Sequence, residues 1–425
     1  MRREELCNEL KRQYKIGLAS GVTKVDAPEY RNLWFVVPPP PPTTLKALPL
    51  KALATANRAL NRLTAFEDMT ALDRTIAFLF ARREAVASSR MEGTWSTIDH
   101  VLTPESLEAQ NSDAPATASV RGYAQALEDA ASKVVKRRFQ ALTKQLVCQL
   151  HRAITAHDPM FRYAPGKLRM PGEPGAIVQI GSLGRKKDSV YNPPPADHVE
   201  RCLNAVMSWY QDDLLAETGD AGIGLGLPVR MAIGHAHFEG VHPFPDGNGR
   251  VGRMLWPLQM ILAGHAPLYL SGYVEVAGRD YSLALQSAQK QLRYGPMIEF
   301  MCQAIEASFT EAEVTRRSLC ELPLLWRSRA KFRAGSAAER TIEVLISSPI
   351  LSAGELAKLL KIPFESASKA LMTLAARGVV KERTGLLRNR IFAAEEVVAI
   401  LARPFGGSVV DALALAGRVL RVAQL

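Results

Sequence analysis

The stretch His242-Pro243-Phe244-Pro245-Asp246-Gly247-Asn248-Gly249-Arg250-Val251-Gly252-Arg253 constrains the fold more than any other part of the chain. Its prolines and closely spaced glycines cannot lie inside one helix, yet apolar residues recur at helical spacing on both sides. The expected structure is a helix, a tight loop and a second helix. Gly247 and Gly249, flanking Asn248, let the backbone turn its amide hydrogens toward one point, and the following helix N-terminus adds partial positive charge. Together they form an anion nest suited to phosphate. Arg250 and Arg253 lie three apart on one face of the second helix, where both guanidinium groups can grip phosphate oxygens. Asp246 beside the nest is a natural Mg²⁺ ligand, because that ion combines hard oxygen donors with nucleotide phosphates. His242 is placed to take a proton from an incoming nucleophile. Each element alone is weak; their concentration in one short stretch marks a functional site. A zinc protease is excluded, since His237 and His242 are five apart, about 500° around a helix, and do not share a face. The Walker A pattern is absent.

At 425 residues the chain should hold two or three domains. Hydrophobic content of 47% with 22% charged residues is that of a soluble globular protein and excludes disordered, collagenous and coiled-coil classes. The net charge of +11 suggests a polyanionic partner. Five scattered cysteines show neither a disulfide framework nor a zinc cluster, which fits a reducing cytoplasmic compartment. No apolar core follows the charged N-terminus and no 18 apolar residues run together, so neither a secretory signal nor a membrane span is expected.

The prolines 38–42 impose an extended strap on the surface, an SH3-type ligand being the alternative. Helical spacing follows from Leu50 to Leu63. A second helix carries Ile76, Leu79, Phe80 and Ala87 and stops at Gly93. A tract from Tyr123 to Ala156 carries the basic cluster Lys133, Lys136, Arg137 and Arg138, read as a solvated face. Between Tyr163 and Pro195 a loop with a small β-hairpin is expected around Ala176 to Ile180, and Pro228 opens the helix that leads to His242. A linker separates this region from helices over 337–347, 352–360 and 365–377 and strand-like runs 379–382 and 388–393, the pattern of a winged helix. The expected divisions are 1–115 as an N-terminal helical region, 116–322 as the catalytic core, 323–335 as linker, 336–400 as winged helix and 401–425 as a C-terminal helix. The tract from Val409 onward is apolar at helical spacing and suits a neighbouring element or a homodimer partner, with no membrane role.

The segment 242–253 resembles the Fic family signature HxFx(D/E)GNGRxxR at every fixed position, and His235, Phe238 and Glu239 look like that family's lead-in helix. The resemblance implies a mainly α fold, an all-helical Fic core with a short β-hairpin flap, and transfer of AMP from ATP to a hydroxyl side chain of a target protein, self-modification included. By the same resemblance His242 deprotonates the target and Asp246 holds Mg²⁺ on the phosphates. Gly247, Asn248 and Gly249 bind the phosphates, and Arg250 and Arg253 stabilise the departing pyrophosphate. The related Doc branch, which phosphorylates, carries lysine where Gly249 stands, so adenylylation is implied.

Ser88-Ser89-Arg90-Met91-Glu92-Gly93 is similar to the family's inhibitory motif (S/T)xxxE(G/N), with Ser88, Glu92 and Gly93 at its fixed positions. A carboxylate on Arg253 would stand where a γ-phosphate belongs; alternatively Glu92 orients a water for AMP removal, as in bifunctional relatives. The run Ala176, Ile177, Val178, Gln179, Ile180, Gly181, with Arg169 before it and Tyr191-Asn192-Pro193-Pro194 after it, corresponds to the flap that holds the target chain. Gln179 replaces a tryptophan common there, and Tyr281-Ser282 replaces a Tyr-Tyr pair. The C-terminal segment looks like the winged helix appended to many bacterial Fic proteins. Ser366, Ser368, Lys369 and Arg377 on its third helix, and Lys381, Arg383, Arg388 and Arg390 on the wing, suit phosphate contacts with DNA. Protein docking or dimerisation is the alternative for that module, and a DNA-binding regulator with a Fic-like sensing core is the alternative for the whole chain.

Overall fold

The computed structural model describes residues 1, 3–13, 33–45, 47–107, 114–158, 160–181, 189–212 and 226–422. In chain order its principal elements are α1 (Leu50–Arg62), α2 (Ala71–Met91), α3 (Ile98–Leu102), α4 (Ala114–Val134), α5 (Lys144–Thr155), α6 (Ala196–Gln211), α7 (Leu227–Val241), α8 (Asn248–Leu262), α9 (Gly278–Gln291), α10 (Gly295–Arg329), α11 (Ala337–Ser347), β1 (Ile350–Ser352), α12 (Ala353–Leu360), α13 (Phe364–Ala376), β2 (Lys381–Glu382), β3 (Ile391–Ala393), α14 (Glu395–Ala402) and α15 (Val409–Val422). The fold is mainly α. Met1–Asp68 with Gln125–Ser308 form one compact unit, and Met69–Ala124 with Phe309–Leu425 form another.

The first unit is built around α7 and α8. Every residue of α8 is buried, and so is every residue of α7 from Pro228 on. A helix buried on all sides needs no amphipathic stripe, which explains why the sequence around the site shows helical spacing without a polar face. The two helices meet at Gly252, where an added Cβ would stand 2.5 Å from Glu239 Oε1 and 3.0 Å from the His235 ring. The proline strap lies against this unit: Val36 N–H donates to Asn192 O (2.8 Å), Asn192 Nδ2 to Trp34 O (2.7 Å) and Trp209 Nε1 to Pro42 O (3.0 Å).

The helical tract expected over 123–156 is broken. α4 gives way to a short 3₁₀ segment, Val135–Ala141, in which Arg138 has φ 47°, and α5 restarts from Thr143, whose hydroxyl caps Leu146 N–H. Of the expected flap hairpin, the described residues show one antiparallel bridge, Ile180 with Tyr191. Residues 182–188 lie outside the described residues.

In the second unit α2 starts with a capping box between Thr70 and Asp73. It ends in a Schellman arrangement: Gly93 (φ 83°) donates to Arg90 O and Thr94 N–H to Ser89 O, both at 3.0 Å. Its flank is pinned to α10 by Asp73–Arg316 (2.8 Å) and by Arg83–Glu311 (2.6 Å), the latter carboxylate also holding Arg403 (2.8 Å). α10 continues to Arg329, inside the segment expected as a linker, and anchors the last module through Glu396, which takes Trp326 Nε1 (2.6 Å) and Arg329 Nη2 (2.5 Å).

That module contains α11, α12 and α13 and a three-stranded antiparallel sheet ordered β1-β3-β2. Ser336 caps α11, and Ser352 with Glu355 forms a capping box at α12. These local signals place its helices within a residue or two of expectation. β1 was not expected: three residues, the last of them the cap of α12, have no period of their own, and only pairing with β3 makes them a strand. No helix among the described residues is long and apolar enough to cross a membrane.

Candidate active site

His242 caps the C-terminus of α7 in the left-handed region (φ 50°, ψ 63°), a conformation costing a non-glycine residue roughly 1 kcal/mol or more. Arg169 holds it there. Its Nε donates to His242 O (2.8 Å), Nη2 to Val241 O (3.0 Å), Nη1 to Ala176 O (2.9 Å), and its own N–H to Pro243 O (2.9 Å). One buried guanidinium thus caps the last carbonyls of α7 and ties them to the start of the flap. The His242 side chain is 16% exposed and its Nδ1 lies 4.0 Å from Glu239 Oε2. Burial, and then the positive charge of Arg169, push its pKa down to about 3. The imidazole is therefore neutral at neutral pH and carries the lone pair that a base requires.

The loop after His242 is braced from within. Asn248 Oδ1 accepts from Phe244 N–H (2.9 Å) and its Nδ2 donates to Phe244 O (2.8 Å). Its amide thus closes the loop, which differs from the phosphate contact the resemblance implies. Gly247 precedes α8 with φ 79°, and the first amides of that helix, those of Asn248 and Gly249 among them, have no acceptor within the helix itself. Asp246 is exposed, and its Oδ1 accepts from Gly247 N–H (2.6 Å). Among the described residues no group of three or more His, Cys, Asp or Glu is gathered to hold a metal. The exposed Asp246 carboxylate by itself fits Mg²⁺, which takes one or two carboxylates and completes its shell with phosphate and water.

The two arginines expected to act together have different surroundings. Arg250 makes a buried ion pair with Asp158 (Nη1 to Oδ2, 2.9 Å), with the two side chains 2% and 6% exposed, so it braces the start of α8. Arg253 is buried one turn on, and its charge adds to burial in holding the His235 pKa down near 3. His235 Nε2 lies 2.6 Å from Tyr281 Oη, and its ring packs on Trp256 at 4.3 Å. His237 is likewise neutral, its pKa lowered by burial to about 3, with Nε2 3.0 Å from Tyr294 Oη.

Ser88 is fully buried on α2, whereas Glu92 is exposed at its C-cap, with Gly93 just beyond. In the flap, Ile177 and Val178 are half-buried, Gln179 Nε2 faces Ser189 Oγ at 3.4 Å and Asn192 Oδ1 at 3.3 Å, and Gly181 follows the bridge. On the C-terminal module Lys369, Arg377 and Arg388 are exposed and Lys381 is half-buried on β2. Arg390 turns back on Leu386 O (2.7 Å) and Met372 Sδ (3.1 Å). Arg383 differs most from its expected phosphate role: it is held by Asp99 (2.8 Å) and Glu395 (2.9 Å).

Two residues that the sequence did not single out, His151 and Asp158, sit directly beneath the loop. His151 lies on the apolar face of α5 with Val147, Leu150 and Ile154, where a histidine reads as core. Nothing in its spacing points to a partner 95 residues away.

Residues 50–132 match the family described as Fic/DOC family N-terminal and residues 141–260 the one described as Fic/DOC family. A probable protein adenylyltransferase of Aquifex aeolicus is 32% identical over 114 residues, 25% of this chain and 30% of that protein. Protein adenylyltransferase fic-1 of Caenorhabditis elegans is 29% identical over 118 residues, 28% of this chain and 21% of that protein. The chain thus spans less than a third of the length of these curated relatives. The crystal structure of a Fic family protein from Desulfovibrio desulfuricans G20 superposes with a TM-score of 0.50 at 20% identity, covering 84% of this chain and 98% of that one. At that identity it bears on the fold alone. With the family match spanning the segment that carries Glu92 and the whole run from α5 to the arginines of α8, the chain belongs to the Fic/Doc family.

Proposed function

We propose that this protein transfers AMP from ATP to a hydroxyl side chain of a target protein. The observation that carries the reading is His242, held by Arg169 at the end of α7, with the exposed Asp246 carboxylate and the start of α8 following it in one tight loop. His242 takes the hydroxyl proton, the oxygen attacks the α-phosphorus, and the bond to the β-phosphate breaks as pyrophosphate leaves. The amides of Asn248 and Gly249 and the charge of Arg253 stabilise the phosphate chain, Gly247 supplies the turn that leads into them, and Arg250, paired with Asp158, stiffens the helix start. Asp246 is the residue that would hold Mg²⁺, which when bound offsets phosphate charge. The chain between Ala176 and Gly181 receives the target, and its tie to Arg169 keeps that chain in register with His242.

Glu92 is the inhibitory carboxylate in this reading; its motif and its position at the end of α2 support the role. Incubation with labelled ATP and Mg²⁺ should give labelled protein that increases in Glu92→Gly and disappears in His242→Ala. A Glu92→Gly protein that takes no label overturns the transfer reading, and loss of AMP release from a pre-labelled target in that variant would favour removal of AMP instead. The element order and sheet of the C-terminal module support a winged helix, and exposed Lys369, Arg377 and Arg388 support a polyanionic partner there. Salt-sensitive DNA binding weakened by Arg388→Ala tests it.

A further inference from the structure

We propose that His151 is a positioning residue for the transfer reaction: it orients the Asp246 carboxylate by holding the peptide plane between Asp246 and Gly247. The inference rests on the adenylyl-transfer reading above and deepens it.

Gly166 N–H donates to His151 Nδ1 at 2.9 Å, so that nitrogen carries no proton. The proton of the neutral ring is then on Nε2, which lies 3.0 Å from the Asp246 carbonyl and donates to it. A trans peptide points its C=O and the next N–H in opposite directions. Fixing the Asp246 carbonyl downward into α5 therefore fixes Gly247 N–H upward, and that N–H is the donor at 2.6 Å to Asp246 Oδ1. Two hydrogen bonds share one rigid plane, and through it the ring of His151 sets where the carboxylate of Asp246 points.

The surroundings leave the ring no other pose. It stacks on Phe244 with centroids 3.8 Å apart and planes 4° apart, and Phe161 meets its edge at 5.4 Å. An added Cβ on Gly247 would stand 3.4 Å from the ring, so the turn rests directly on it. His151 is fully buried and reaches no solvent from which a substrate could approach. Residues one layer behind a metal ligand typically change metal affinity about 10- to 100-fold when lost.

Two substitutions separate the bonds. Asparagine places an oxygen near Nδ1 and retains the Gly166 bond but does not reach Asp246. Glutamine places an amide N–H near Nε2 and retains the Asp246 bond. In the full chain carrying His242→Ala, which cannot turn over, ATP binding is titrated calorimetrically with and without Mg²⁺, and thermal melting checks folding. His151→Asn should lose the Mg²⁺-dependent gain in ATP affinity by about tenfold or more, and His151→Gln should keep it within about threefold. Equal effects of the two substitutions, whether both harmless or both severe, overturn the proposal, since a merely structural ring would lower the melting temperatures without separating Asn from Gln. A parent protein that binds no ATP refutes the transfer reading itself, and the proposal with it.

Discussion

A histidine that must act as a base is useful only while unprotonated, and burial secures that for His242. Its pKa of about 3 means that acidification through the ordinary imidazole range does not protonate it in the folded state. The initial rate of self-labelling by Glu92→Gly protein, measured well below its melting temperature, should show no step near pH 6.5; such a step would refute the buried neutral base. Stability responds oppositely. His151, His235, His237 and His242 all have pKa values pushed down by burial, to about 4 for the first and about 3 for the others. The unfolded chain binds protons near 6.5 that the folded chain refuses, so their contribution is intact above pH 6.5 and is lost as pH falls toward 4. The melting temperature should decline across that window. For Asp158, truncation to alanine leaves Arg250 buried without its carboxylate and should cost about 3 kcal/mol in denaturant unfolding.

At the scale of elements, the pairing of α7 with α8 decides the geometry of the site, and at Gly252 it leaves no room for a side chain. Gly252→Ala would force Glu239 or His235 aside and should destabilise the protein by roughly 1 to 3 kcal/mol, lowering the melting temperature by several degrees. Local signals made most elements readable in advance. Gly93 announced a stop because it tolerates the left-handed position cheaply, and the structure adds that Thr70, Ser336 and Ser352 start their helices by hydrogen-bonding the first turn. Where such signals were weak the reading blurred. The break between α4 and α5 lay in a stretch without glycine or proline, and β1 exists only through its partner. Polar groups were not readable for the same reason: Asn248 and Arg250 look alike in sequence whether or not the backbone of Phe244 and the carboxylate of Asp158 hold them.

Over the whole molecule, the basic charge and the motifs fall in different places. Residues 301–425 carry 18 basic and 12 acidic groups, while residues 201–300, with the Fic motif, carry 7 and 9. The loop amides, not bulk charge, serve the nucleotide in the proposed reaction. The segment bearing Glu92 shares a compact unit with residues 309–425, and Arg383 joins its downstream end to the C-terminal module through Asp99 and Glu395. Burial works against the Arg383 charge, but hydrogen bonds to those two carboxylates outweigh it and raise its pKa above the ordinary value. Arg383→Ala should therefore speed amide exchange over residues 97–103. On the reading that Glu92 is inhibitory, it should also raise self-labelling in the native background and leave Glu92→Gly protein unchanged; unaltered exchange in that segment would refute the link.

The sequence by itself determined what is local: helices, their caps, the tight loop, and the residue types from which a phosphate-handling family was legible. Only the tertiary structure brought Arg169 to His242 across 73 residues, His151 to Asp246 across 95 and Asp158 to Arg250 across 92. Helical and turn preferences act over a few neighbouring residues, whereas these partners meet only when burial of α7 and α8 brings distant segments against one loop, and no spacing along the chain encodes that meeting.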